Sequence, residues 1–342
     1  MAEPKSGNIQ SIQLLRGIAA FMVLLNHGYD VRALPDSGFK RSFLYGSTGV
    51  NIFFIISGFI IPYSMFINNY KLSDFKDFFL KRITRIEPPY IVSIFLVLLL
   101  DYSTTLSSGY TGPAFSIDWL NVLGHVGYVN AFTGSHWLNA AYWTLAVEFE
   151  FYILLALLYP LIAHSNRWVL TITYLALVGA TFITDSSRHI IHFLPFFLYG
   201  IGLFLYKSRK IDLRHYLFLT FVNTFVCYIV CGTFFVWLSL LVLLAIAFIK
   251  RVPGPLMLLG TISYSLYLTH GVLITRFMGL VVKVHGINVW VAFIISVILC
   301  LVFAWFYYIT IEKFFLSLSK RIRYRHPRAN TGEKDKSNWI SM

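Results

Sequence analysis

Charged residues are scarce in this chain. Only 13% of its 342 residues are Asp, Glu, Lys or Arg, whereas 57% are hydrophobic and the mean hydropathy is +0.69. Soluble globular proteins carry roughly twice that share of charged residues, because polar side chains must cover their surface. The composition therefore excludes a water-soluble fold of this length and predicts that lipid covers much of the surface.

Cysteine is also rare. The three cysteines Cys227, Cys231 and Cys300 all lie within apolar runs, which predicts neither a disulfide framework nor a metal-ligand pattern. Cys227 and Cys231 share one helical face, a spacing typical of small side chains in helix packing. We expect a fold that does not depend on redox state, and no metal site.

A contiguous basic patch of the kind that binds nucleic acid is missing as well, although the formal net charge is +13. The 28 Lys and Arg residues lie mainly in short segments between apolar runs and in the last residues of the chain. With a cytoplasmic N-terminus, 21 of them fall on the inner side and 6 on the outer side. This bias predicts that both termini are cytoplasmic.

Apolar runs, in contrast, are abundant and predict an all-α polytopic membrane protein. A spanning helix needs about 20 mainly apolar residues. By that rule the sequence predicts ten transmembrane helices, at 9–29, 46–67, 86–101, 142–163, 168–184, 190–206, 215–231, 233–249, 256–276 and 288–311. The first is expected to be a retained helix. The bundle is predicted to occupy residues 1–316 and a basic cytoplasmic tail residues 317–342.

Two polar residues stand out in the first predicted helix. Arg16 and His27 are eleven residues apart, which places them on the same helical face and about 16 Å apart along the axis. A cation would then lie in the inner half of the helix and a titratable base near its outer end. The alternative is an Arg that snorkels to the interface and an interfacial His.

Basic and small residues mark the next two segments. Arg82 and Arg85, in a loop at the start of the third predicted helix, share one face and could hold phosphate oxygens. They could equally be ordinary cytoplasmic charge. Ser57 and Gly58 in the second predicted helix would allow close approach of a thin ligand or of a neighbouring helix.

Carboxylates inside a membrane span usually serve a function. The fourth predicted helix carries Glu148 and Glu150, which point about 200° apart and so cannot serve one site. Glu148 is one helical turn from both Thr144 and Tyr152, and could orient His27 or share its proton. The alternative is a structural pair with a basic residue of another helix, and Glu150 has no predicted role.

A further polar stripe lies in the ninth predicted helix, where Ser263, Tyr267 and His270 recur at helical spacing. His189 and His192 fit ordinary interfacial positions at a helix end. The uncharged aromatic loop at 102–141 either lies on the membrane interface or folds back as a lid over a site.

Taken in order, these motifs resemble the membrane-bound acyltransferase-3 family, in particular its stand-alone exopolysaccharide-type O-acetyltransferases. The matching positions span residues 10 to about 275 and comprise Arg16 through His27, the Phe-x-x-Ser-Gly-Phe of helix two, Arg82-x-x-Arg85 with Pro88 and Tyr90, Trp143-Thr144-Leu145 through Glu148 to Phe151-Tyr152, and Ser263-Tyr264 through Tyr267-Leu268 to His270. Glu150 is an additional acid outside this pattern.

The resemblance implies an enzyme of the bacterial inner membrane that takes an acyl group, usually acetyl, from cytosolic acyl-CoA to a sugar hydroxyl. His27 and Glu148 would be catalytic. Arg16, Arg82, Arg85, Ser57 and Gly58 would bind acetyl-CoA. The acceptor, an exported polysaccharide, lipid-linked sugar or similar glycan, would contact the remaining motif residues, namely Trp143, Thr144, Tyr152, Ser263, Tyr267 and His270.

Three alternatives follow from the same residues. The enzyme could acylate a non-glycan small molecule, such as an antibiotic or an amine. The chain could be a secondary transporter in which Glu148 and His27 relay protons. A purely structural membrane scaffold would leave the polar stripes without an explanation.

Overall fold

The structure is a computed structural model that describes residues 7–29, 34–106, 110–184, 186, 188–283 and 286–324. All regular structure in these residues is helical, which confirms the predicted fold class. The α-helices are α1 Gly7–Tyr29, α2 Gly38–Ser42, α3 Gly49–Ile67, α4 Phe75–Thr105, α5 Trp119–Val126, α6 Asn130–Thr133, α7 Trp143–Ile162, α8 Arg167–Ala180, α9 Ile190–Lys207, α10 Leu213–Cys231, α11 Thr233–Phe248, α12 Gly254–Thr261, α13 Ser263–Val281, α14 Val289–Tyr307 and α15 Lys313–Arg321.

Within the described residues, six helical segments are long and apolar enough to cross a membrane, and the bent pair α12–α13 would make a seventh. α8 and α11 are apolar but shorter. Each of the ten predicted segments overlaps one of these helices or α1. The chain is a polytopic helical membrane protein, whereas the count of ten spans and the side on which the termini lie stay predictions.

The predicted start of the third helix at residue 86 is wrong, because α4 begins at Phe75. The segment with Arg82 and Arg85 is therefore helical and not a loop. A helix of 31 residues is about 46 Å long, well beyond the roughly 30 Å of a hydrocarbon core. Its first turns can thus carry charge outside the apolar layer. Pro88 and Pro89 lie inside the helix, where the Pro89 carbonyl accepts a hydrogen bond from Tyr307 Oη at 2.5 Å.

The single helix predicted over 256–276 is instead two helices that meet at Ile262 with a bend of 69°. Gly260 next to this break packs directly on α1. A Cβ at Gly260 would lie 2.1 Å from the Gln13 carbonyl oxygen, so only glycine permits this approach. The bend thereby brings the N-terminus of α13 against the middle of α1.

The last predicted helix ended at residue 311, but the chain continues as a helix through the π-helical segment Tyr308–Glu312 into α15. The predicted domain boundary at 316/317 falls within α15, which packs against α4. Beyond it, the Tyr324 ring lies 5.9 Å from that of Tyr70. The remainder of the predicted tail, 325–342, lies outside the described residues.

The described part of the loop at 102–141 packs against the helix bundle. Tyr128 stacks between Tyr90 of α4 and Phe149 of α7, with ring centroids 5.4 and 4.8 Å away. Asn139 Nδ2 donates a hydrogen bond to the Leu268 carbonyl of α13 at 3.1 Å. These contacts place the loop beside the helices that carry the polar motifs.

One buried histidine holds this loop together. His125 is fully buried, its Nδ1 donates to the Asn121 carbonyl at 2.8 Å, and its Nε2 accepts the Leu138 N–H at 3.0 Å. Acceptance at Nε2 requires a neutral ring, and burial lowers the pKa of His125 below its usual value. His125 is therefore a structural residue of the loop.

Candidate active site

The polar stripes of α1 and α13 face each other. Arg16 Nε donates a hydrogen bond to Ser263 Oγ at 3.2 Å, and the rings of His27 and His270 lie 4.9 Å apart between centroids. Ser263 and His270 are two helical turns apart on α13, so one face of α13 meets one face of α1. The predicted common orientation of Arg16 and His27 is thus confirmed.

Beside this helix pair lies a cavity of about 350 Å³. Its walls come from α1, α3, α4, α7 and α13, so residues far apart in sequence converge on it. Eight of the predicted site residues line it, namely Arg16, Ser57, Arg82, Arg85, Thr144, Glu148, Tyr152 and Tyr267. Most of the residues predicted from separate motifs therefore line a single cavity.

Positive charge dominates the cavity. Among its lining residues, Arg16, Arg82 and Arg85 carry guanidinium groups and Glu148 carries the one carboxylate. Arg82 lies over the rings of Phe78 and Tyr152, 5.5 Å from each centroid, and these contacts restrain its planar group. Guanidinium groups fixed in this way favour anions with several oxygens, such as phosphates or carboxylates.

Glu148 is held by hydroxyl groups and not by a histidine. Its Oε1 accepts hydrogen bonds from Ser57 Oγ at 2.9 Å and from Tyr152 Oη at 2.7 Å. Ser57 lies across the cavity on α3, whereas Tyr152 is one turn further along α7. The expectation that Glu148 orients His27 is not met, because α7 presents the carboxylate to the arginine-lined cavity.

Tyr267 lines the cavity and also contacts the histidine pair. Tyr267 Oη and Thr144 Oγ1 lie 2.5 Å apart, and Tyr267 also donates to the Ala141 carbonyl at 3.2 Å. The Tyr267 ring is 5.7 Å from that of His270. Neither His27 nor His270 is among the residues that line the cavity, so Tyr267 lies at its border.

Three predicted site residues have other surroundings. Gly58 faces α9, where an added Cβ would lie 2.1 Å from the Phe197 carbonyl oxygen. Gly58 does not line the cavity, and its close approach to α9 fits the helix-packing alternative. Trp143 packs on Phe193, with ring centroids 5.4 Å apart, and does not line the cavity. Ser263 reaches the site through its bond to Arg16.

The structure gives Glu150 the role that the sequence did not. Its Oε2 accepts the backbone N–H of Ile190 at 2.8 Å, and its Oε1 lies 3.1 Å from His189 Nδ1. Glu150 therefore caps the first turn of α9, where a carboxylate is favoured by the unpaired N–H groups and the helix dipole. It points away from Glu148, as the helical spacing predicts.

Glu312 near the site was not found from the sequence, and Tyr264 belonged to a matching motif but had no predicted role. Glu312 is buried in the π-helical segment and accepts hydrogen bonds from the backbone N–H and Oγ of Ser265, at 3.1 and 2.6 Å. Tyr264 lines the cavity and donates to the Ile86 carbonyl at 2.8 Å. An acid directly after an apolar run was the available signal for Glu312, but the predicted helix ended one residue earlier.

Comparison with known proteins shows which family the chain belongs to. The sequence model of a family described as an acyltransferase domain matches residues 9–309. No solved structure matches the chain significantly.

Several known proteins have sequences similar to parts of this chain. A putative acetyltransferase of Acidianus two-tailed virus is 26% identical, and the match covers 81% of this chain and 87% of the relative. An O-acetyl transferase of Shigella phage Sf6 is 28% identical over 54% of this chain and 56% of the relative. A putative peptidoglycan O-acetyltransferase of Bacillus subtilis is 31% identical over 41% of this chain and 22% of the relative.

Proposed function

Since this chain belongs to the acyltransferase-3 family and is a membrane acyltransferase, we propose that it transfers an acetyl or short acyl group from cytosolic acyl-CoA to a glycan hydroxyl. The acceptor would be an exported polysaccharide, a lipid-linked sugar or a similar glycan, and the membrane the bacterial inner membrane. Family membership favours an acyltransferase over the secondary transporter and the structural scaffold.

The observation that carries the donor assignment is the charge of the cavity. Three guanidinium groups against one carboxylate, in a pocket with apolar walls, suit a ligand that joins phosphates to a thin, mainly uncharged arm. Acyl-CoA has this combination. Arg82 and Arg85 would hold its phosphates, and Arg16, with its bond to Ser263, would lie further along the arm.

The proposed chemistry proceeds beside the pair His27 and His270, which we call the histidine end of the site. His27 takes the proton of the acceptor hydroxyl as the oxygen attacks the thioester carbonyl, because imidazole titrates near neutral pH. The new C–O ester bond forms and the C–S bond breaks. The CoA thiolate then takes up the proton from His27, so the products are the ester and free CoA.

The names of the relatives support a hydroxyl acceptor on a carbohydrate polymer. One is described as an O-acetyl transferase and another as a putative peptidoglycan O-acetyltransferase. A sugar hydroxyl is also uncharged, which fits the histidine end, since the arginines that line the cavity lie on the other side of Tyr267.

The test is transfer of label in isolated membranes. Membranes that contain the chain are incubated with radiolabelled acetyl-CoA and a surface glycan fraction from a deletion strain. We expect base-labile label in the glycan with the wild type and none with His27→Ala. Arg41→Gln is the matched control, because Arg41 is exposed and paired with Asp36 away from the cavity.

Equal labelling by wild type and His27→Ala would contradict the role of His27. Failure of the wild type to transfer label to any glycan fraction would contradict the acceptor class. Where the wild type does transfer label, mass spectrometry of its product identifies the acyl group and the modified hydroxyl.

A further inference from the structure

Glu312 is a buried carboxylate that the proposed chemistry does not use. It is 5% exposed and does not line the cavity. Its Oε2 accepts hydrogen bonds from the backbone N–H and the Oγ hydroxyl of Ser265, at 3.1 and 2.6 Å. Ser265 is the third residue of α13, so its N–H is one of those that the start of a helix leaves unpaired. Glu312 therefore fixes the first turn of α13.

A rare helix geometry brings Glu312 to this position. Glu312 is the last residue of the π-helical segment, in which the Lys313 N–H bonds to the Tyr308 carbonyl five residues earlier. One extra residue in a turn rotates the following side chains by about 100° relative to an unbroken α-helix. Turns of this kind are uncommon within helices and frequent at functional sites. The π-helical turn thus sets the face from which Glu312 reaches α13.

The turn of α13 that Glu312 holds also makes two contacts at the cavity. Ser263 Oγ accepts the Nε–H of Arg16 at 3.2 Å. Tyr264 lines the cavity and donates to the Ile86 carbonyl at 2.8 Å. Three consecutive residues of α13 therefore connect it to α1, to α4 and to the π-helical segment. A shift of this turn would move Ser263 relative to Arg16.

Arg16 depends on this turn for its orientation. Within the described residues, the bond to Ser263 is the one hydrogen bond that Arg16 makes, and Arg16 lines the cavity. Its two terminal nitrogens are therefore available to a ligand. Glu312 also interacts electrostatically with Arg16. The carboxylate thus offsets the charge of the guanidinium group without occupying those nitrogens.

We propose that Glu312 is a positioning residue for Arg16 in donor binding, an inference that rests on the proposed function. Glu312 holds the first turn of α13, this turn holds Ser263, and Ser263 holds the Nε side of Arg16. The terminal nitrogens of Arg16 can then donate to the amide carbonyl oxygens of the pantetheine arm. Glu312 itself touches neither substrate. Its substitution should weaken binding of the arm and leave the chemical step unchanged.

Glu312→Gln tests this role, and Glu150→Gln is the matched control. Both carboxylates accept an N–H from the first turn of a helix, but α9, which Glu150 caps, contributes no residue to the cavity lining. Glutamine keeps the size of the side chain, weakens the two bonds to Ser265 and removes the charge that offsets Arg16.

We expect Glu312→Gln to raise the KM about tenfold for acetyl-CoA and equally for acetyl-pantetheine, which lacks the phosphates. Tenfold is the scale of one interaction with a charged group. The change in kcat should be small, because the arm binds equally in the ground state and the transition state. Glu150→Gln should leave both KM values unchanged.

The measurement is kcat and KM for both donors in membranes with equal amounts of folded chain, checked by thermal unfolding in detergent. If both variants lower Tm and leave KM unchanged, Glu312 is a helix cap only and the positioning role is overturned. A rise in KM for acetyl-CoA alone would also overturn it, because the effect would then lie at the phosphates. So would a loss confined to kcat.

Ser265→Ala gives a second test that applies even if Glu312→Gln does not fold. It removes one of the two hydrogen bonds of Glu312 and keeps the charge. Both KM values should rise about threefold, the scale of one hydrogen bond, and unchanged values would contradict the role. Isothermal titration of the purified chain with acetyl-CoA reports the same changes in affinity without transfer. Failure of the wild type to transfer label, with these affinity changes present, would therefore contradict the proposed function alone.

Discussion

Substitution of Arg85 by Gln gives a direct test of the donor assignment. Arg85 lines the cavity together with Arg16, Arg82 and Glu148. Glutamine keeps a polar side chain of similar reach but removes the charge. If Arg85 binds a phosphate of the donor, the variant loses one charge-assisted interaction and leaves the two other guanidinium groups in place.

The size of the effect follows from that single interaction. A hydrogen bond to a charged group contributes about 1.5–3 kcal/mol, and about 1.4 kcal/mol corresponds to a tenfold change in affinity. We therefore expect the KM for acetyl-CoA to rise about 10- to 150-fold. The change in kcat should be small, because the phosphates bind equally in the ground state and the transition state.

The assay compares acetyl-CoA with acetyl-pantetheine, which has the same thioester and arm but no phosphate. Arg85→Gln should leave the KM for acetyl-pantetheine unchanged, and Arg41→Gln should leave the KM for both donors unchanged. An equal rise in KM for both donors would refute the phosphate contact. It would mean that the substitution distorts the cavity as a whole.

Three further predictions concern the bundle. Gly200→Ala should lower the free energy of unfolding by about 1–3 kcal/mol and reduce Tm in detergent, since its Cβ would lie 2.2 Å from the Ile55 carbonyl oxygen. Gly179→Ala, where a Cβ meets nothing within 4 Å, should leave Tm unchanged or slightly higher. Glu150→Gln should lower the free energy of unfolding by about 1 kcal/mol through the weakened cap, with kcat per folded chain retained. Because burial lowers the pKa of His125, Tm should fall as pH drops below the ordinary histidine pKa of 6.5, and His125→Asn should flatten that slope.

The helices were predictable because apolar length is a strong signal in a chain with so few charges. Their ends were less so. α4 begins at Phe75, and its length lets Arg82 and Arg85 lie beyond the apolar layer while they remain helical. In the sequence, the same charges end the apolar run and so indicated a loop. The break at Ile262 adjoins the contact of Gly260 with Gln13, and no local sequence pattern contains that contact.

The site was predictable where one helix supplied the geometry. The common face of Arg16 and His27 needs only the helical repeat, and the structure confirms it. Contacts between helices were not accessible in this way. That Glu148 meets Ser57 and not His27 depends on how α7 and α3 are packed, and the apolar pattern leaves that packing open.

The arrangement of Tyr267 explains how one bundle could keep its two substrates apart. The arginine-lined cavity and the histidine pair meet at this residue, whose hydroxyl contacts Thr144 of the cavity wall and whose ring contacts His270. If the acyl donor binds in the cavity as proposed, its acyl group would pass the Tyr267–Thr144 contact on the way to His27. A barrier that a thin thioester arm can displace would let the acyl group meet a hydroxyl before it meets water, which an acyltransferase requires and a thioesterase does not.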